Sequence, residues 1–247
     1  MKGIGFLFLI IFCFSGCNSE EGSDCFKKQG EQITEVISVE NFSKIHISKG
    51  VELIIKESDQ QKVTVTAGKN LISNVTFEVI NGELFVKDNS GCHMFRNVSI
   101  AKVYVSTPVL EKIYSASQFS IHSEGMLHFP DLTLESGTLS EDVPSSVFDL
   151  EINNQNLTIH ENVSSVFKIK GNTENLNVNF WGSNGRLEAQ NLIAKKINVF
   201  HRSTNDMIVY PTEKISGTLY STGNLVLKNF PPIVNVEQLY TGQVVYP

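Results

Sequence analysis

VFHRSTNDMIVYPTEKISGTLYSTGNLVL, residues 199–227, carries the same small device twice. Arg202-Ser203-Thr204-Asn205 is a polar turn with an apolar run starting at Met207, and Ser221-Thr222-Gly223-Asn224 is another, with the next run starting at Leu225. Ser, Asn and Gly suit such corners because they accept left-handed backbone or bond their own main chain. Working outward, the device recurs at Ser115-Ala116-Ser117-Gln118, Glu135-Ser136-Gly137-Thr138, Asn153-Asn154-Gln155-Asn156, Gly182-Ser183-Asn184-Gly185 and Thr241-Gly242-Gln243. The first apolar residues after the seven turns are Phe119, Leu139, Leu157, Leu187, Met207, Leu225 and Val244, at intervals of 20, 18, 30, 20, 18 and 19. A period near 20 held over so many units indicates a solenoid.

The physics agrees with the period. A 20-residue unit with two or three short strands cannot bury an apolar face alone, whereas units stacked about 4.8 Å apart bury one continuous core. Leu139, Leu157, Leu187, Met207 and Leu225 are expected to form an inward ladder. The long interval from 157 to 187 is expected to be one coil with an extra bulge or hairpin. The alternative is a β-sandwich, whose strands also recur regularly, but it leaves the repeated turn chemistry unexplained. Helical periodicity is nearly absent. Residues 33–107 read as antiparallel or irregularly paired strands, with Asn81-Gly82 a strong hairpin signal. The fold class is therefore all-β, a β-helix-like solenoid with an N-terminal strand and hairpin region.

Phe42-Ser43-Lys44-Ile45-His46-Ile47, Gly50-Val51-Glu52-Leu53, Asn70-Leu71-Ile72, Asn81-Gly82-Glu83-Leu84, the repeated Ser/Gly turns and the closing Thr241-Gly242-Gln243-Val244-Val245-Tyr246 resemble, in that order, the head GIN domain proteins, a family labelled as auto-transporter adhesins. The resemblance covers about residues 33–247 and implies a right-handed parallel β-helix-like fold; it implies little chemistry. The sequence departs from the family's Ser-Gly corners at Asn153-Asn154-Gln155-Asn156 and Arg202-Ser203-Thr204-Asn205.

The first 16 residues have one lysine, an apolar core and two small residues at the end, the layout of a secretory signal and too short for a membrane span. Phe14-Ser15-Gly16-Cys17 resembles the lipobox of bacterial lipoproteins, which makes Cys17 the lipid-bearing first mature residue. Residues 17–32, polar and acidic around Glu20-Glu21 and Asp24, read as a flexible tether. They also resemble the acidic signal that sends some lipoproteins to the exterior of the outer membrane; the periplasmic face is the alternative. Residues 33–247 form the single domain. Cys25 and Cys92 then remain as a pair in an oxidising compartment, expected to be a disulfide.

A net charge of −6 does not suit a nucleic-acid partner, and no cofactor motif is present. The six histidines show no ligand spacing; His122, Glu124 and His128 come nearest to a cluster, and no metal is expected. Glu141-Asp142 and Asp149 with Glu151 are carboxylate pairs of the kind that β-helix enzymes use on acidic sugars, yet without an accompanying Lys or Arg cluster in the sequence. No catalytic residue is assigned. Trp181, beside a glycine turn with Asn184, is the candidate ligand-binding position, as a sugar-stacking platform. The expectation is a non-catalytic envelope lipoprotein that binds a glycan or an envelope or host protein. The alternative is a polysaccharide lyase or hydrolase on a β-helix. The sequence leaves the oligomeric state open.

Overall fold

The structure, a computed structural model, describes residues 29–90, 100–139, 145–182 and 184–247. Its strands are β1 (Gln32–Ile37), β2 (Lys44–Ile47), β3 (Val51–Glu57), β4 (Lys62–Gly68), β5 (Val75–Ile80), β6 (Glu83–Asp88), β7 (Ala101–Thr107), β8 (Lys112–Ser115), β9 (Ile121–Leu127), β10 (Asp131–Ser136), β11 (Val147–Glu161), β12 (Val166–Phe180), β13 (Arg186–His201), β14 (Met207–Leu219), β15 (Leu225–Leu227), β16 (Ile233–Gln238) and β17 (Val244–Val245). The four long strands, β11 to β14, each run round a corner, so one continuous sheet wraps into two faces. Face A stacks β1, β4, β7, β3, β9, the first halves of β11 to β14, then β15 and β17. Face B stacks β5, β6, β2, β8, β10, the second halves of β11 to β14, then β16. Alternate residues of both faces point into one shared apolar core, and the chain is a β-solenoid.

The ladder runs in a different phase from the sequence expectation. On face A the column is Ile121, Phe148, Phe167, Leu187, Met207, Leu225 and Val244. Leu157 lies on face B, between Leu132 and Leu176 in a column that continues through Ile197, Ile215 and Val234. Leu139 is 53% exposed and belongs to no core column. Asn153-Asn154-Gln155-Asn156 is a corner, but the opposite one, where Asn154 Nδ2 donates to the Asn156 carbonyl at 3.1 Å. The corner equivalent to Gly182–Gly185 and Arg202–Asn205 in that coil is the stretch after Glu161, in which Asn162-Val163-Ser164-Ser165 carries no glycine. The interval from 157 to 187 therefore holds no insertion. The extra residues lie earlier, between the paired Ile121 and Phe148, partly as a bulge at Ser123-Glu124-Gly125 opposite Leu150.

The N-terminal strands are part of the stack rather than a separate region. β2 pairs in parallel with both β6 and β8, and β3 in parallel with both β7 and β9. The coil nearest the N-terminus is thus intercalated between two later ones, which leaves Ile45, Ile47, Leu53 and Ile55 with no exposed surface. The antiparallel pairings are β1–β4, β4–β7 and the β5–β6 hairpin. Asn81 and Gly82 turn that hairpin with φ of 51° and 74°, the positive values a two-residue turn of this hand needs.

Candidate binding surface

Outward residues on face B line up because the parallel register is unbroken. The middle column is Thr133, Thr158, Asn177, Asn198, Ser216 and Asn235, six uncharged hydrogen-bonding side chains over about 24 Å at the usual strand spacing. Beside it runs Asp131, Asn156, Asn175, Lys196 and Lys214, where Asn156 Nδ2 donates to Asp131 Oδ1 at 2.6 Å and Asn175 Nδ2 to Asn156 Oδ1 at 2.9 Å.

At the other margin of face B the structure places Trp181 in company. Its ring centroid is 4.8 Å from that of Phe200, which is 4.7 Å from that of Tyr220, and His160 lies nearly parallel to Trp181 at 6.4 Å. Trp181 is 44% and Tyr220 40% exposed. The rings lean on one another along the solenoid axis, so they form a strip with exposed edges and part-exposed faces rather than one isolated platform. Asn184 sits in the same corner segment as Trp181. Its N–H donates to the Val163 carbonyl at 3.2 Å, and its own carbonyl accepts from Asn205 Nδ2 at 2.5 Å. Phe200 and Tyr220 escaped the sequence reading, although they follow Trp181 by 19 and 39 residues, about one and two solenoid periods, which marks them as residues of the next two coils.

The outer side of face A is charged and internally paired. Lys102 meets Glu52 at 3.3 Å, Lys56 meets Glu124 at 2.8 Å and Lys170 meets Glu151 at 3.0 Å. The sequence shows no basic cluster near Asp149 and Glu151, but the register supplies one, with Lys168 opposite Asp149 and Lys170 opposite Glu151. Asp149, Lys168, Lys170, Glu188, Gln190 and Asn191 line a shallow cleft of about 190 Å³. His128 Nδ1 contacts Glu57 at 3.1 Å, His122 approaches Glu52 at 3.9 Å, and Glu124 is taken by Lys56. These three side chains go to separate partners, and among the described residues no group of His, Cys, Asp and Glu converges as a metal site. Cys17, Cys25, Cys92, Glu141 and Asp142 lie outside the described residues.

Two buried ionisable groups belong to the interior of the recurrent corner. Serines line it, with Ser115 Oγ 2.6 Å from Ser146 Oγ, Ser136 Oγ 2.7 Å from Ser165 Oγ, and Ser203 Oγ donating to the Gly185 carbonyl at 2.6 Å. Glu161 continues this line; Oε1 accepts the Val163 and Ser165 N–H groups at 2.7 and 3.2 Å, while Oε2 is buried without a partner. Burial pushes its pKa up to about 7, against the pull of those two N–H groups. A Cβ on Gly185 would collide with Oε2, so glycine there makes room for the carboxyl. His201 stands beyond Phe180 in the same column, 1% exposed. Burial lowers its pKa to about 4, with the Asn224 backbone and Asp206 opposing. Neither group faces solvent, and both shape stability rather than binding.

Among the described residues no helix is long and apolar enough to cross a membrane. The fold is similar to a protein described as a "putative adhesin" from Bacteroides fragilis NCTC 9343, with a TM-score of 0.77 at 19% identity over 88% of this chain and 97% of that one. A "putative lipid binding protein" from Parabacteroides distasonis ATCC 8503 superposes with a TM-score of 0.60 at 17% identity, again over 88% and 97% of the two chains. A "putative adhesin" from Parabacteroides merdae ATCC 43184 gives 0.58 at 17% over the same shares. At such identities the likeness is one of fold. No curated protein matches the chain. The family model described as "Putative auto-transporter adhesin, head GIN domain" matches residues 41–231, a span that runs from the intercalated N-terminal coil to the corner before β16. The chain belongs to the head GIN domain family.

Proposed function

We propose that this chain is a non-catalytic cell-envelope lipoprotein that binds a glycan or an envelope or host protein through the outer side of face B and the aromatic strip beside it. The observation that carries the reading is the uncharged column from Thr133 to Asn235 with Trp181, Phe200 and Tyr220 along its margin. Amide and hydroxyl side chains at a fixed spacing offer donors and acceptors in register, and aromatic groups add apolar area with a polar handle. The adhesin names of the family and of the similar structures support this role. Cys17 carries the lipid in this reading, residues 17–32 tether the domain, and the binding face looks outward from the outer membrane; a periplasmic orientation is the alternative.

The cleft beside Asp149 and Glu151 is the observation that favours a polysaccharide-active enzyme. Ion pairing of Glu151 to Lys170 at 3.0 Å suits a charge-matched surface better than an acid or base awaiting substrate. A glycan and protein array with the purified chain separates the two. Trp181→Ala with Tyr220→Ala should weaken the captured ligand about tenfold or more, the equivalent of roughly 1.4 kcal/mol, and Asp149→Asn with Glu151→Gln should leave it unchanged. Loss of binding with the second pair alone, or turnover of a captured polysaccharide, overturns the reading.

A further inference from the structure

The last coil of the solenoid ends differently from the others. β16 hydrogen-bonds only to β14, and β17 only to β15, so among the described residues both faces end here in an unpaired strand edge. The core columns end here as well. Val234 and Val244 are only half-buried, whereas their neighbours one coil back, Ile215 and Leu225, have no exposed surface, and Val236, above Gly217, is half-buried too. Around these open columns stand Phe230 at 66%, Leu239 at 54%, Tyr240 at 64% and Tyr246 at 46% exposure, with Phe230 and Tyr246 in ring contact at 5.1 Å. From Asn229 to Pro247 the only charged residue is Glu237. Terminal coils of solenoids ordinarily carry a polar outer surface, and exposed edge strands ordinarily carry charge.

Whatever covers this end must offer two strand edges with an apolar layer between them, separated as faces A and B are. The same end of a second copy has that shape. We propose that the chain forms a twofold dimer, C-terminal coil against C-terminal coil. An axis normal to both faces pairs β16 with its partner's β16 and β17 with its partner's β17, both antiparallel, and fuses the two cores through the valine columns. A twofold axis normal to the strands makes equivalent edge strands antiparallel, and an isologous contact closes on itself without fibre growth. With one charged side chain per copy in the contact segment, self-repulsion between side chains is small. The opposite end of the stack is less suited, since both of its edge strands carry an exposed glutamate, Glu35 on β1 and Glu78 on β5, whereas at the C-terminal end only β16 does and β17 has none.

The geometry has a functional consequence, which rests on the proposed binding face. An axis normal to face B puts both copies' B faces on the same side, so the two uncharged columns adjoin as one row. A ligand with repeated units would then meet both copies and gain avidity without any new contact chemistry.

Sedimentation equilibrium and native mass spectrometry of the purified chain, without any ligand, test the dimer separately from binding. The wild type should show twice the chain mass. Tyr240→Glu and, separately, Val236→Lys should halve it while retaining the wild-type circular dichroism; Tyr240 is exposed, so its substitution leaves the core intact. Ile80→Glu, on β5 at the other end, should leave the dimer unchanged. A monomeric wild type overturns the proposal, as does a dimer that survives both C-terminal substitutions or one that Ile80→Glu dissolves. A complex whose mass fits one chain plus a different protein also overturns it.

Discussion

Phe167→Ala should be among the most damaging single truncations in this molecule. Phe167 has no exposed surface. Its ring stacks on that of Phe148 at 4.6 Å and 15°, and that of Phe180 reaches it at 5.9 Å; Leu187 is its partner in the next coil. Truncating a core Phe costs about 3–5 kcal/mol from lost transfer energy and the cavity left behind, and the ring pairs, at about 0.5–1.5 kcal/mol each, push this site to the upper part of that range. Against a total stability of about 5–15 kcal/mol for an ordinary domain, that is a large share. Val244 ends the same column but is half-buried, and it loses two methyl groups at about 0.8 kcal/mol per fully buried carbon, so Val244→Ala should cost about 1 kcal/mol or less. Leu139→Ala should be near neutral, because the side chain is 53% exposed. Urea titrations followed by far-ultraviolet circular dichroism give the ranking, with the m-values checking that the same transition is compared. A Phe167→Ala midpoint at the wild-type value, or a Leu139→Ala loss as large as that of Phe167→Ala, would refute the column assignment and the stacking on which it rests.

Cys17→Ser should release the protein from outer membranes or leave the precursor unprocessed; persistence of the mutant in salt-washed outer membranes sinks the lipid anchor. Intact-mass measurement after alkylation, with and without reductant, should show Cys25 and Cys92 protected until reduction, and labelling of both thiols without reductant excludes the disulfide. The two buried ionisable groups predict opposing pH effects. Glu161 binds its proton more tightly folded than unfolded, with a pKa near 7 against 4.5, so its contribution falls as pH rises between those values. His201 binds its proton less tightly folded, near 4 against 6.5, so its contribution rises over that window. His201→Phe should remove the compensating rise and expose a loss on the order of 3 kcal/mol between pH 4.5 and 7; denaturation midpoints for that variant that stay level from pH 4.5 to pH 8 contradict this account.

The solenoid was legible because its corners are made of residues with specific backbone uses, and parallel stacking copies those uses at a constant spacing. The phase was not legible at Asn153–Asn156. Each coil has two corners, and the local chemistry that favours turning, an Asn side chain donating to a carbonyl two residues on, does not say which corner is being turned. Nor does the corner after Glu161 advertise itself, because two of its N–H groups are satisfied by a buried carboxylate where other coils use serine. Trp181 stands out in the sequence by its glycine turn, whereas what makes a surface is its ring contact with Phe200, and through it with Tyr220, from the neighbouring coils. The basic partners of Asp149 and Glu151 were invisible for the same reason. Lys168 and Lys170 are one coil away in sequence and adjacent in space.

The intercalated N-terminal coil marks where a repeat-by-repeat reading must fail. β2 and β3 precede β6 and β7 in the chain, yet they lie between those strands and β8 and β9 in the stack. No local pattern encodes that order, since Ile45, Ile47, Leu53 and Ile55 would look the same in an end coil. What requires it is complete burial on both sides, which a coil at the end of a stack cannot have, as the half-exposed Val234 and Val236 show at the other terminus. The N-terminal coil is therefore complete only when β8 and β9 have docked, and its contacts span 66 to 68 positions, as from Ser117 Oγ to the Val51 carbonyl and from the Gly50 N–H to Gln118 Oε1. Such separations raise the entropy of loop closure and slow folding. They also tie the first coil to the middle of the stack, so that fraying from this end has to break contacts on two sides of the coil instead of one.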